Sequence, residues 1–259
     1  MEMVTGKTSA QRKFFRGVGQ VRQLLAEAEA FQNRDAYVFR TEVEARSTNE
    51  ITYRSFAVEH EAPPEEWPLL AGDAIQNLRS ALDHIVYAAS RGEEQTKFPI
   101  FTDPDKFRQK APGMLKGVPE SVRATIEKAQ PYRDYPPDPA ATMLVQLQML
   151  SNLDKHRTLG TIASAVVREG VGVREGVNIT WHRYGTGRSL GCGETHVSTF
   201  TASADVEVAE GDVQPMFSYE VRIEGRPINY LKGFVHDIYP VLVECETGEP
   251  LSLFAPYPL

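Results

Sequence analysis

The sequence predicts an α+β fold: a helical core packed against an antiparallel sheet formed mainly by the C-terminal third. Three observations predict it. Four stretches, near 9–33, 65–91, 140–156 and 227–246, repeat apolar residues at three- and four-residue spacings, as buried helix faces do. Five runs between 161 and 224 are rich in β-branched and aromatic residues and are separated by glycine-containing turns. Strands and helices do not alternate regularly, which argues against a parallel βαβ sheet.

In chain order, residues 9–33 place Phe14, Val18, Val21, Leu24, Leu25, Ala28 and Phe31 on one face of a helix. Residues 36–60 change to alternation around Ser47-Thr48-Asn49, the pattern of a β-hairpin that joins the sheet or projects from it. Pro64, Glu65 and Glu66 open the next helix, with acidic groups at its positive end, and it runs to Arg91-Gly92. Short helices are expected at about 103–111 and 119–130. Four prolines between Gln130 and Pro139 predict an extended connection without helix. A helix from Ala140 to His156 follows. The β-runs are Thr161–Arg168, Val177–Tyr184, His196–Ala202, Val206–Val208 and Phe217–Glu224, and the last helix spans Pro227–Glu246. The expected organisation is a mainly helical part, 1–160, carrying the hairpin, and a part 161–259 of antiparallel sheet and terminal helix, packed together as one unit.

The 259 residues carry 41% hydrophobic side chains, enough to bury a substantial core. A net charge of −7 gives no general attraction to nucleic acid or anionic membranes. The charge is uneven: residues 161–259 hold 7 Lys+Arg against 13 Asp+Glu, whereas 71–160 hold 12 against 11. Two cysteines, Cys192 and Cys245, have no zinc or redox spacing. No secretory signal and no apolar run of about 20 residues is found, so a soluble, cytoplasmic protein without membrane association is expected.

Two polar clusters interrupt the apolar helices: Asn77-Leu78-Arg79-Ser80-Ala81-Leu82-Asp83-His84, and Ser151-Asn152-Leu153-Asp154-Lys155-His156-Arg157. Each gathers an amide, a carboxylate, a base and an imidazole, the groups used in acid–base chemistry and anion binding. On the first helix Asp73, Asn77, Ser80 and His84 form a polar stripe, with Arg79 and Asp83 as an i,i+4 pair on its flank. The second helix has no polar side, so Asn152, Asp154 and His156 are expected to be partly buried and to find partners, Asp154 on Arg79 and the others on the Asn77/His84 stripe. That network is either a structural pin or a pocket. As a pocket it is lined by Asn77, His84, Asn152 and His156, with Asp73, Asp83, Asp154, Lys155 and Arg157 around it, for an unknown small ligand or protein. A metal site of His84, His156, Asp73 and Asp154 is a further arrangement, without recognised ligand spacing.

The remaining candidates have simpler readings. The Gly185–Gly193 stretch suits a hairpin tip or an anion cradle. His182 and His196 flank it on strands, and Cys192 within it is an incidental or reactive thiol. His236 reads as a core or boundary histidine. Thr5-Gly6-Lys7-Thr8 lacks the upstream glycine and strand of a phosphate-binding loop. No serine-hydrolase elbow or zinc-protease helix is present.

The string Gly72-Asp73 through Asp83-His84, followed by Phe98-Pro99-Ile100-Phe101, Gln130-Pro131-Tyr132 and Leu150-Ser151-Asn152-Leu153-Asp154-Lys155-His156-Arg157, resembles a family of uncharacterised bacterial proteins over residues 70–160. That resemblance implies no activity. Arg79 followed by His84 is also similar to the Arg-x4-His motif of HEPN domains, helical bundles many of which are metal-independent endoribonucleases. It implies a catalytic pair across a homodimer, Arg79 on the scissile phosphate and His84 on the proton of the 2′-hydroxyl or leaving group, with RNA as partner and no cofactor.

Overall fold

In a computed structural model of the chain, which describes residues 7–166, 171–183, 189–191, 193–215 and 217–249, the first element is α1, Ser9–Gln32. Its start is a capping box: the Gln11 amide N–H donates to Thr8 Oγ1 at 3.1 Å, and the Thr8 N–H donates back to Gln11 Oε1 at 3.3 Å. Phe14, Val18, Val21, Leu24, Ala28 and Phe31 are buried as their spacing predicts, and Leu25 is half-buried at the edge of the stripe.

The hairpin consists of β1, Tyr37–Arg46, and β2, Glu50–Glu59, paired antiparallel with a bulge between Val43 and Ala45. Next come α2, Trp67–Ala89, and α3, Pro104–Met114, whose Asp103 cap accepts from the Asp105 and Lys106 N–H groups. Helix α2 starts two residues later than its acidic entry suggests. It ends at Ser90, where Arg91 and Gly92 both take positive φ, 61° and 86°.

Helices α4, Glu120–Lys128, and α5, Pro131–Asp134, lie on either side of Gln130. The four-residue α5 corrects the expectation of an extended connection. Pro131 sits at its first position, where a missing N–H costs nothing, so the proline that excludes a helix interior here begins a turn. A 3-10 turn at Pro139–Ala141 leads to α6, Met143–Asp154.

The β-rich third supplies β3 (Thr161–Val166), β4 (Val171–Val173), β5 (Asn178–Arg183), β6 (Ser189–Leu190), β7 (Glu194–Ser203), β8 (Val213–Pro215), β9 (Ser218–Ile223) and β10 (Arg226–Pro227). They do not form one sheet. The hairpin joins β7 and β5 in the order β1-β2-β7-β5, a second sheet runs β10-β9-β3-β6, and β4 pairs with β8; all pairs are antiparallel. Val206–Val208 is not a strand, yet Val208 is buried with Ile51, Tyr53, Phe200 and Val213 in the core against the first sheet. The aromatic centre of that core is Phe200, 5.2 Å from the Tyr53 ring and 5.0 Å from Trp181. Helix α7, Leu231–Thr247, closes on Gly248 in the left-handed region, φ 75°.

The fold is α+β. By contacts the chain divides into two interleaved units, a helical one of residues 1–25, 66–159 and 229–259 and a β unit of 26–65 and 160–228. The hairpin therefore belongs with the C-terminal strands and α7 with the earlier helices, whereas a division near 160 separates both from their partners. No helix among the described residues is long and apolar enough to cross a membrane.

Candidate functional site

At 100° per residue, Gly72, Gln76, Arg79 and Asp83 fall on one row of α2, and this row carries the polar contacts to α6 and to the loop after α2. Arg79 is 8% exposed. Its Nε donates to Gln148 Oε1 at 2.9 Å, Nη1 to Asp83 Oδ1 at 2.7 Å, and Nη2 to the Phe98 carbonyl at 3.1 Å. Asp83 Oδ1 also accepts the Phe98 N–H at 2.9 Å. The Arg79–Asp83 pair therefore holds both polar groups of one loop residue, and it is no simple surface pair. Because Asp83 keeps water contact on one side, the ion pair adds less than a fully buried one.

From the other side Gln130, fully buried, grips the same loop. Its Nε2 donates to the carbonyls of Pro99 at 2.9 Å and Ile126 at 3.0 Å, and its Oε1 accepts the Phe101 N–H at 3.0 Å. Lower on the row, Gln76 Nε2 donates to the Ser151 carbonyl at 2.7 Å and to Asp154 Oδ2 at 3.2 Å, while Ser151 Oγ donates to Gln76 Oε1 at 3.0 Å. The four sequence strings thus meet in one set of hydrogen bonds that satisfies buried backbone groups.

This arrangement revises the expected pocket. Helices α2 and α6 do touch, but Asp154 pairs with Gln76 and not with Arg79. They approach closely enough that a Cβ on Gly72 would collide with the Asp154 carboxylate. Asp154 is half-buried as expected, but Asn152 and His156 are exposed; α6 ends at Asp154, so His156 lies beyond it with the exposed Lys155 and Arg157. Asn77 is buried but turns toward α1, donating to Gln20 Oε1 at 2.9 Å and accepting from Lys13 Nζ at 3.3 Å. Asp73 is exposed, and His84 is half-buried on that neighbouring stripe. Asn77, Asn152 and His156 therefore do not converge. Among the described residues no three His, Cys, Asp or Glu side chains form a metal-binding group, so His84, His156, Asp73 and Asp154 are not assembled as one. His182 and His196 bond neighbouring hydroxyls on the β unit, His182 to Thr201 and His196 to Thr199. Cys192 and most of Gly185–Gly193 lie outside the described residues.

A concave site lies elsewhere in the helical unit, in a cleft of about 440 Å³ between α4, α5, α6 and α7. Ala129, Leu144, Pro240 and Val241 form its apolar walls. Asp237, half-buried, has its carboxyl pushed up to about 6, first by burial and then by the nearby Asp134 carboxylate. His236 Nδ1 is buried without a hydrogen-bond partner. Pro240 has no N–H, so it cannot supply the helical bond that the His236 carbonyl would otherwise accept. The cations at the rim are engaged: Lys128 Nζ lies 3.2 Å from Glu244 Oε2, and Arg133 pairs with Glu127.

No family model, curated protein or solved structure matches the chain. The fold and the site are therefore argued from this chain's own residues. Asp237 and Asp134 are not among the residues the sequence singles out, and His236 reads from it as a core or boundary histidine. One signal was available: His236-Asp237 stands one turn before Pro240 inside an apolar helix, where a polar pair and a released carbonyl coincide. Asp134 carried no such signal, because its position depends on a turn of helix that the prolines concealed.

Proposed function

We propose that this protein binds a small ligand in the cleft between α4, α5, α6 and α7. The observation that carries the reading is an open cavity with apolar walls whose lining carboxylates, Asp237 and Asp134, make no ion pair or side-chain hydrogen bond among the described residues. Pockets of this size with few convergent polar groups suit compact organic ligands. The α2–α6 seam supports the reading less, since its polar groups are consumed by backbone carbonyls and amides.

The test is a fragment screen by methyl NMR on wild type and on Val241→Trp, which fills the cleft. Binders that shift Leu144 and Val241 signals in the wild type and lose affinity in the filled variant support the site. Binders that act equally on both sink it. The endoribonuclease alternative rests on His84, half-buried, with Arg79 beside it already donating to three acceptors. Its test is metal-free RNA cleavage by wild type and His84→Ala, with folding followed by circular dichroism.

A further inference from the structure

We infer that the cleft selects a small organic cation, a primary ammonium carried on a compact apolar body. This rests on the cleft being the ligand site and adds the ligand's chemistry. Two carboxylates, Asp134 and Asp237, face the cleft without an ion pair or a side-chain hydrogen bond among the described residues. The His236 carbonyl has lost its helical donor to Pro240. The two lining cations each already pair with a carboxylate, Lys128 with Glu244 and Arg133 with Glu127. Among the described residues, Asp134 and Asp237 are thus the lining charges left unpaired, so the complementary ligand brings N–H donors and a positive charge. An ammonium offers three donors and no acceptor. Seated between the two carboxylates it would replace their mutual repulsion with attraction, while Ala129, Leu144 and Val241 pack against its apolar part.

Binding in this cleft is coupled to protons. Asp237 shares the cleft with Asp134 and Arg133 of α5, Lys128 and Thr125 of α4 and, along α7, His236 and Glu244. Ammonium binding requires Asp237 ionised, so affinity rises with pH through about 6 and binding releases a proton.

The experiment compares three isosteric probes, benzylammonium, benzyl alcohol and benzoate, titrated by methyl NMR into the full chain at pH 7.5 and 5.0. Benzylammonium is expected to bind at least tenfold tighter than either of the others at pH 7.5. It should weaken several-fold at pH 5.0, and about tenfold in Asp237→Asn and in Asp134→Asn, both checked for folding by circular dichroism. Benzoate or benzyl alcohol binding in the cleft as well as benzylammonium overturns the ammonium assignment and leaves the cleft as a site. Benzylammonium affinity unchanged in both variants, or no binding of benzylammonium at either pH, also overturns it. The filled-cleft comparison with Val241→Trp judges the site separately.

Discussion

Replacing Gln130 with alanine is expected to destabilise the helical unit by about 2–4 kcal/mol. The side chain is fully buried and makes three hydrogen bonds, two to carbonyls and one from the Phe101 amide. Truncation leaves the Phe101 N–H and the Pro99 carbonyl without these partners, and a buried unsatisfied group costs about 1–3 kcal/mol. Phe101 is only half-buried, so water recovers part of its share. Urea unfolding reads the effect: the helical unit contains Trp67, 1% exposed, and the only other tryptophan, Trp181, lies in the β unit, so a Trp181→Phe background makes fluorescence report the helical unit. The midpoint should fall at constant m. Glu at position 130 sharpens the test. Its carboxylate would face two carbonyl oxygens, which raises its folded pKa above the unfolded value near 4.3, so its stability is best below about pH 4 and is lost as pH rises. A Gln130→Ala midpoint within about 0.5 kcal/mol of the background, or a Gln130→Glu variant indifferent to pH, would refute the reasoning.

Gly72→Ala should destabilise by about 1–2 kcal/mol despite the better helix propensity of alanine, because its Cβ meets Asp154; in an Asp154→Ala background the same change should turn neutral or stabilising, measured as a double-mutant cycle. Arg79→Lys should cost about 1–3 kcal/mol, since an ammonium cannot reproduce the fork that reaches Gln148, Asp83 and Phe98 together, and a urea midpoint equal to wild type would contradict that role. For Asp237 the folded pKa of about 6 lies above the unfolded one, so its contribution is full below about pH 4 and is lost as pH rises through 6. Asp237→Asn should therefore match wild type at pH 4 and exceed it by about 1–3 kcal/mol at pH 8, as followed by thermal unfolding. Tyr219, whose hydroxyl donates to the Phe31 carbonyl at 2.8 Å, has its ionisation pushed up to about 12 by burial, and an absorbance titration should show a late-ionising component that is lost in Tyr219→Phe.

Helix positions were legible because apolar periodicity reports on burial, as Phe14 to Phe31 show, and the hairpin was legible from its alternation, although past Tyr53 the buried face passes to Ser55 and Ala57 and leaves Phe56 and Val58 half-buried. Sheet membership was not, since pairing β2 with β7 is a contact across more than 130 residues that no local pattern encodes. The polar clusters illustrate a different ambiguity. Arg79, Asp83 and Gln130 are residue types suited to chemistry, and the sequence cannot show that their partners are the backbone of Phe98, Pro99 and Phe101. The second cluster misled because its helix stops at Asp154, so a face drawn through His156 had no helix beneath it. The cleft was least legible, because it depends on the single turn at Pro131–Asp134 meeting one turn of α7.

Interleaving of the two units imposes an order on synthesis. The β unit has all its strands once Ile228 has been made, whereas the helical unit still lacks α7, which supplies Phe234, Val235 and Ile238 to its core. During translation the earlier helices must therefore wait, with apolar faces uncovered, while some seventy intervening residues are made and paired, and a nascent chain halted before residue 231 should engage holdase chaperones more than the finished one.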